Sequence, residues 1–292
     1  MNLKRNLWIG AGILVLVLGL GEGRLFAQAG QPQTQKPTLD KDKQKPAGGL
    51  TPDGLAEAPK PALNPEEEAA FKAYQDVPQT DTAKKLQLGE AFAAKYPQSR
   101  YLSNVYSTMV VSYSVTGQGQ KVTETGEKAL AINPNDVNVL AIMSQVMSRM
   151  READPKSSTG AQILDRAEQY ARRAVDVMTT MAKPEGSTEE SFATAKGQVL
   201  AMSHSALGLV DVKRGKLADA ISELDQSVKV DPEPDPVNIF LLGYANEKAS
   251  HFDDAVKAFS KCAEILGPMQ ANCKQGVEEA KKLGATQLSA PK

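Results

Sequence analysis

Twelve residues separate Gly208 from Ala220, four more reach Leu224, and eight more reach Pro232. Leu207 stands just before the glycine, and Gly215 falls inside the interval. The same set returns 35 residues later as Leu242-Gly243, Ala255, Phe259 and Gly267-Pro268. A repeat of this length limits the possible folds more than any other feature of the chain. A unit of about 34 residues holds two helices and a turn, and it cannot bury its apolar side alone, so units must stack. The chemistry of the offsets agrees. Small residues at 208 and 220 let two helix backbones approach closely, and Leu207 and Leu224 fill the space around them. Asp231-Pro232 stops the second helix, because proline disfavours the helical region at the residue before it.

A third set lies upstream. Tyr106, Met109, Gly117, Ala129 and Pro134 fit a unit that starts at Ser103 and ends in KALAINPND. Gly126 stands where an aromatic residue or leucine is expected, which weakens that helix. Pro134 and Pro232 lie 98 residues apart, whereas two units need about 68. The excess is assigned to an insertion near Glu152–Gly160 and a connection near Lys183–Glu190. One irregular unit carrying Leu140, Met143, Ala167, Ala171 and Ala174 fills the gap. A divergent first unit covers 64–98 and opens with a capping asparagine, Asn64, then Pro65 and three acids. Alternating β-branched runs are scarce, while Ala, Leu, Glu, Lys and Gln abound, so helix is expected throughout. The expected fold is all-α: a solenoid of antiparallel helix pairs closed by a capping helix. It has about five units over 64–283, clearest at 103–136, 201–235 and 236–268, and a flexible tail at 284–292.

The N-terminal end differs. Lys4 and Arg5 precede an apolar run from Leu7 to Leu20, and Ala27-Gln28-Ala29 has the small-x-small form a signal peptidase accepts. Residues 1–29 read as a cleaved signal peptide or, alternatively, an uncleaved anchor. The run is short for a comfortable membrane span, which needs about 20 residues. Removing 1–29 leaves 31 basic and 34 acidic residues, a charge of about −3. Residues 30–63 are rich in Pro, Gln, Lys and Gly and read as a disordered tether.

The offsets in the three clear sets resemble the tetratricopeptide-repeat (TPR) family, whose pattern runs W-x2-L-G-x2-Y, A-x3-F, P. The resemblance covers about 66–267. The stretch AFAAKYPQSRYLSNVY (Ala91 to Tyr106) is also similar to exported bacterial repeat proteins of the outer-membrane-assembly and Tol-associated kinds, although the lipidated members carry an anchoring cysteine that this chain lacks. The resemblance implies a concave groove lined by the first helix of each unit and filled by a protein or peptide. The implied lining is Asn104, Ser107 and Val111; Asn138, Gln145 and Arg149; Met202, Ser205, Leu209 and Lys213; then Val237, Phe240, Tyr244, Glu247 and Lys248. The Lys/Asn set that clamps a C-terminal carboxylate in some members is not present in register. Phe240 and Tyr244, one turn apart, are either exposed anchors or packing residues beneath the C-terminal helix. Met143, Met147 and Met150 form either an adaptable binding face or core.

Cys262 and Cys273 flank the turn at Gly267-Pro268, so antiparallel helices joined there bring them level. In an exported protein they are expected to form a structural disulfide, the alternative being two buried thiols. Composition argues against other roles. With 34 basic and 35 acidic residues, the surface offers no drive toward nucleic acid. Membrane contact is expected only through the N-terminal segment where that segment is uncleaved. Two histidines and two cysteines leave little for a metal site. His204 falls on a packing position, His251 follows a turn, and no nucleophile, zinc or phosphate-binding motif appears. The expectation is an exported, periplasmic or envelope-associated bacterial scaffold without catalysis or cofactor. Alternatives are an accessory subunit of an envelope enzyme complex and a self-associating array.

Overall fold

The computed structural model describes residues 64–288. The expected signal peptide, the linker and the last four residues lie outside them. Eleven helices and no strand are found among the described residues. They form five hairpins: α1 (Pro65–Gln75) with α2 (Thr82–Lys95), α3 (Leu102–Val115) with α4 (Gly119–Ile132), α5 (Val137–Arg149) with α6 (Ser158–Thr180), α7 (Glu189–Arg214) with α8 (Leu217–Val230), and α9 (Pro236–Lys248) with α10 (Phe252–Glu264). α11 (Gln270–Leu288) packs on α10 and closes the array. It runs past Leu283, so residues 284–288 belong to the capping helix and not to the expected tail.

Local chemistry sets the helix ends. The side chains of Asn64, Asp81, Asp136, Ser157, Thr188 and Asp235 each accept a backbone N–H from the first turn, each worth about 1 kcal/mol. Lys85 does the equivalent at the other end of α1: its Nζ donates to the carbonyls of Tyr74 (2.8 Å) and Val77 (2.9 Å). Three hairpin turns use a left-handed residue at the same place: Gly117, Gly215 and, unusually for a residue with a Cβ, Ser250 at φ 63°.

The repeated small residues are where the helices of a hairpin touch. A Cβ built on Gly208 would lie 2.5 Å from Leu224 Cγ, and one on Gly243 would lie 2.7 Å from the Phe259 ring. Ala220, Leu224, Ala255 and Phe259 are all buried. Gly126 follows the same logic with a substitute knob. Met143, from the next unit, fills the space its missing side chain leaves. Met143 and Met147 are therefore core, with Met150 half-buried beside them.

The excess length falls only partly where expected. The two segments assigned to it, 150–157 and 181–188, are the longest connections between described helices, and the larger part of the surplus is helix. α6 has 23 residues and α7 has 26, against 13 or 14 in α8, α9 and α10. The added turns are stable because they bury their own apolar cluster, in which Val137, Leu140, Ala174, Met178 and Val199 pack with Phe192 and Leu200.

Candidate functional site

The first helices of successive hairpins stand side by side, and named contacts fix their spacing. From α5, Gln145 Nε2 donates to the Met202 carbonyl on α7 at 3.3 Å. From α7, the Ser205 hydroxyl donates to Asn238 Oδ1 on α9 at 2.6 Å. Asn238 Nδ2 donates to the Ser227 hydroxyl on α8, which donates to the Ala201 carbonyl. Ser205 is thus buried between units and does not line an open surface. Leu209, 7% exposed, packs with Ala220, Leu224, Leu241 and Ala245 in the same seam. Asn104, Ser107, Val111, Asn138, Gln145 and Met202 were all expected to line the groove. Asn138 is half-buried, as are Asn104, Ser107, Val111, Gln145 and Met202. Sequence reasoning passed over Asn238 and Ser227, because small polar residues inside amphipathic helices read as solvated. Their only signal was an interhelical position in the repeat register.

At the C-terminal end, Phe240 lies 5.4 Å from Phe259, ring centre to ring centre. Phe240 and Tyr244 both pack against Ala255, Phe259, Val277 and Ala280 of α10 and α11, while remaining half-buried. The Lys248 ammonium sits 4.9 Å above the Tyr244 ring and 3.2 Å from the buried Glu247 carboxylate. Val237 is half-buried in the same row. Cys262 and Cys273 are fully buried and joined by a disulfide that ties α11 to α10.

The end of α5 concentrates positive charge. Lys213, reaching over from α7, donates to the carbonyls of Met150 (3.2 Å) and Ala153 (3.0 Å). Burial pushes its pKa down, and Asp154 and Glu152 oppose that shift. Arg149 is the last residue of α5. The residue is half-buried, but its Nη2 is sealed from solvent and has no hydrogen-bond partner. Burial lowers its pKa, with the charge of Asp235 acting the other way.

The hairpins α7–α8 and α9–α10 each cross at a small residue that faces a large knob four residues past a second small one, and first helices of successive hairpins stand side by side. The fold is a tetratricopeptide-like α-solenoid of antiparallel helix pairs. No family model matches the chain, and no curated protein matches it. Among solved structures, it is similar to TTC0263, a thermophilic TPR protein of Thermus thermophilus. The identity is 16% over 74% of this chain and 96% of the other, with a TM-score of 0.48. It is similar to PilW, a widely conserved type IV pilus biogenesis factor, at 14% identity over 78% and 96% of the two chains and a TM-score of 0.48. MamA from Desulfovibrio magneticus RS-1 matches at 17% identity over 70% and 96%, with a TM-score of 0.43. The fold assignment rests on the helix pairing within this chain.

The histidines of the array serve packing and surface. His204 is half-buried with Nδ1 2.7 Å from Glu223 Oε2, and His251 is exposed after the Ser250 turn. Among the described residues no group of three or more His, Cys, Asp or Glu is gathered closely enough to hold a metal ion, and no helix is long and apolar enough to cross a membrane.

Proposed function

We propose that the chain is an exported, non-catalytic scaffold whose inner face binds a protein or peptide partner in the cell envelope. The observation that carries the reading is the row of half-buried polar and aromatic side chains presented by α3, α5 and α9: Asn104, Ser107, Asn138, Gln145, Phe240 and Tyr244. Such a row is neither satisfied core nor fully solvated surface. It spans several units, as an extended ligand requires. Lys248 extends it at the exposed edge. Two features support the compartment. The sequence opens with a basic pair, an apolar run and a small-x-small site, and the chain carries a disulfide, which persists in oxidising compartments.

Photo-crosslinking in the native cell tests this. A benzophenone amino acid is placed in turn at Ser107, Asn138 and Gln145 on the inner face, and at Gln169 and Lys229 on second helices. A discrete heteromeric adduct confined to the inner positions is expected. Adducts only from the outer positions overturn the groove reading, and adducts with a second copy of the chain redirect it to self-assembly.

A further inference from the structure

Arg149 is anomalous among the arginines of the described residues. Arg100, Arg166, Arg172 and Arg214 each meet a carboxylate, and Arg173 bonds the Asn135 amide oxygen. Arg151 is exposed and solvated. Arg149 makes no hydrogen bond or ion pair among the described residues, yet its Nη2 is closed to water. A guanidinium nitrogen shut off from water without a partner is costly, and folded chains keep such groups rarely. Its neighbours are already committed. One turn earlier, Gln145 is bonded to the Met202 carbonyl, and the Lys213 ammonium is taken up by two backbone carbonyls. The acid that acts on Arg149 is Asp235. Its carboxylate caps α9 by accepting the Val237 N–H at 2.8 Å and forms no ion pair with Arg149.

We propose that the Arg149 guanidinium receives the side-chain carboxylate of an aspartate or glutamate on the partner segment bound along the inner face. This rests on the groove reading above and names what the groove selects. A guanidinium offers a planar fork of N–H donors that matches a carboxylate. One unpaired cation balances one negative charge. A phosphoryl group would bring nearly two charges beside Asp235, more than the single charge of Arg149 balances. First-helix surface continues on both sides of Arg149, toward α3 and toward α7. A bound segment therefore runs past this point, and a side chain reaches it without requiring a chain terminus.

The test is selection of random phage-displayed peptides on the immobilised full-length protein and on two variants, Arg149→Met and Asp235→Asn. Met keeps much of the stem's volume and removes the unpaired charge, and Asn keeps the cap on α9. Circular dichroism confirms that both variants are folded. Enriched peptides are expected to share an acid on the wild type and to lose that preference on Arg149→Met. Replacing the shared acid by its amide is expected to weaken binding to the wild type by about 10- to 100-fold and to leave binding to Arg149→Met unchanged. Asp235→Asn is expected to tighten the acidic peptides, because a competing negative charge is gone. Enriched peptides that lack a shared acid, or keep it on Arg149→Met, overturn the role of Arg149 while the groove reading stands. No enrichment on any of the three proteins overturns both.

Discussion

Gly160 sits in the first turn of α6 and faces backbone, not side chain. A Cβ placed there would lie 2.2 Å from the Asp154 carbonyl oxygen, 2.4 Å from the Asp154 nitrogen and 2.5 Å from the Glu152 carbonyl oxygen. Those atoms cannot rotate away. The segment that carries them is tied down by Ala153 N–H to Met150 O, by Ser157 N–H to Asp154 O and by the Lys213 ammonium on Ala153 O. Gly160→Ala gains up to about 1 kcal/mol of helix propensity. Against this stands overpacking at the upper end of the usual range, about 3 kcal/mol. The expected net loss is about 2 kcal/mol, or about 4–8 °C in the thermal midpoint of a unit this size. Gly126→Ala is the control. There the added Cβ meets only the Met143 side chain, whose flexible thioether can swing aside, so propensity and crowding nearly cancel. Thermal and urea melts followed by far-ultraviolet circular dichroism compare both variants with the wild type. If Gly160→Ala matches or exceeds the wild type, or Gly126→Ala falls further than Gly160→Ala, the distinction between backbone and side-chain obstacles is wrong.

Three further outcomes follow from the same structure. Replacing Cys262 and Cys273 by serine opens a loop of 11-residue separation and is expected to cost about 3 kcal/mol in the chain-entropy picture, read as a lower urea midpoint that reductant no longer changes. Ser250→Gly relieves a left-handed residue and is expected to stabilise by about 1 kcal/mol in the same melt. Tyr74, whose hydroxyl donates to the buried Val105 carbonyl, has its pKa raised by burial. Its contribution is therefore fully present below about pH 10, the ordinary tyrosine value, and is lost as pH rises toward the folded value. The stability gap between wild type and Tyr74→Phe is expected to start narrowing above about pH 10, and a gap that stays constant into stronger alkali would refute the assignment.

The hairpins were legible because their crossing points are coded by size. Gly208, Ala220 and Leu224 meet in space at the offsets that made them visible in the chain, and Gly243, Ala255 and Phe259 repeat the arrangement. The lengths of α6 and α7 were hidden, because proline- and glycine-bearing segments drew the surplus toward loops. The added turns declare themselves only through contacts between Val199, Met178 and Leu140, far apart in sequence. The inner face was half legible. Register identifies which residues of a first helix turn toward its neighbours. It cannot separate residues that close the seam, such as Ser205 and Leu209, from those left half-exposed, such as Asn104. Gly160 carried no signal at all, since its reason for being glycine is a loop folded back over it.

The bond between Cys262 and Cys273 gives the array a mechanical polarity. In a chain of stacked hairpins each unit is held by its neighbours, so opening starts at an end. At one end, the first turn of α11 cannot come away from α10 without breaking a covalent bond. At the other, α1 is held by noncovalent contacts, among them the Lys85 ammonium on its last carbonyls and the stacking of Phe71 on Tyr101 at 3.9 Å. A pull transmitted through residues 1–63 therefore loads the yielding end. Slack is released there first, hairpin by hairpin, while the surface between α5 and α9 keeps its shape under tension.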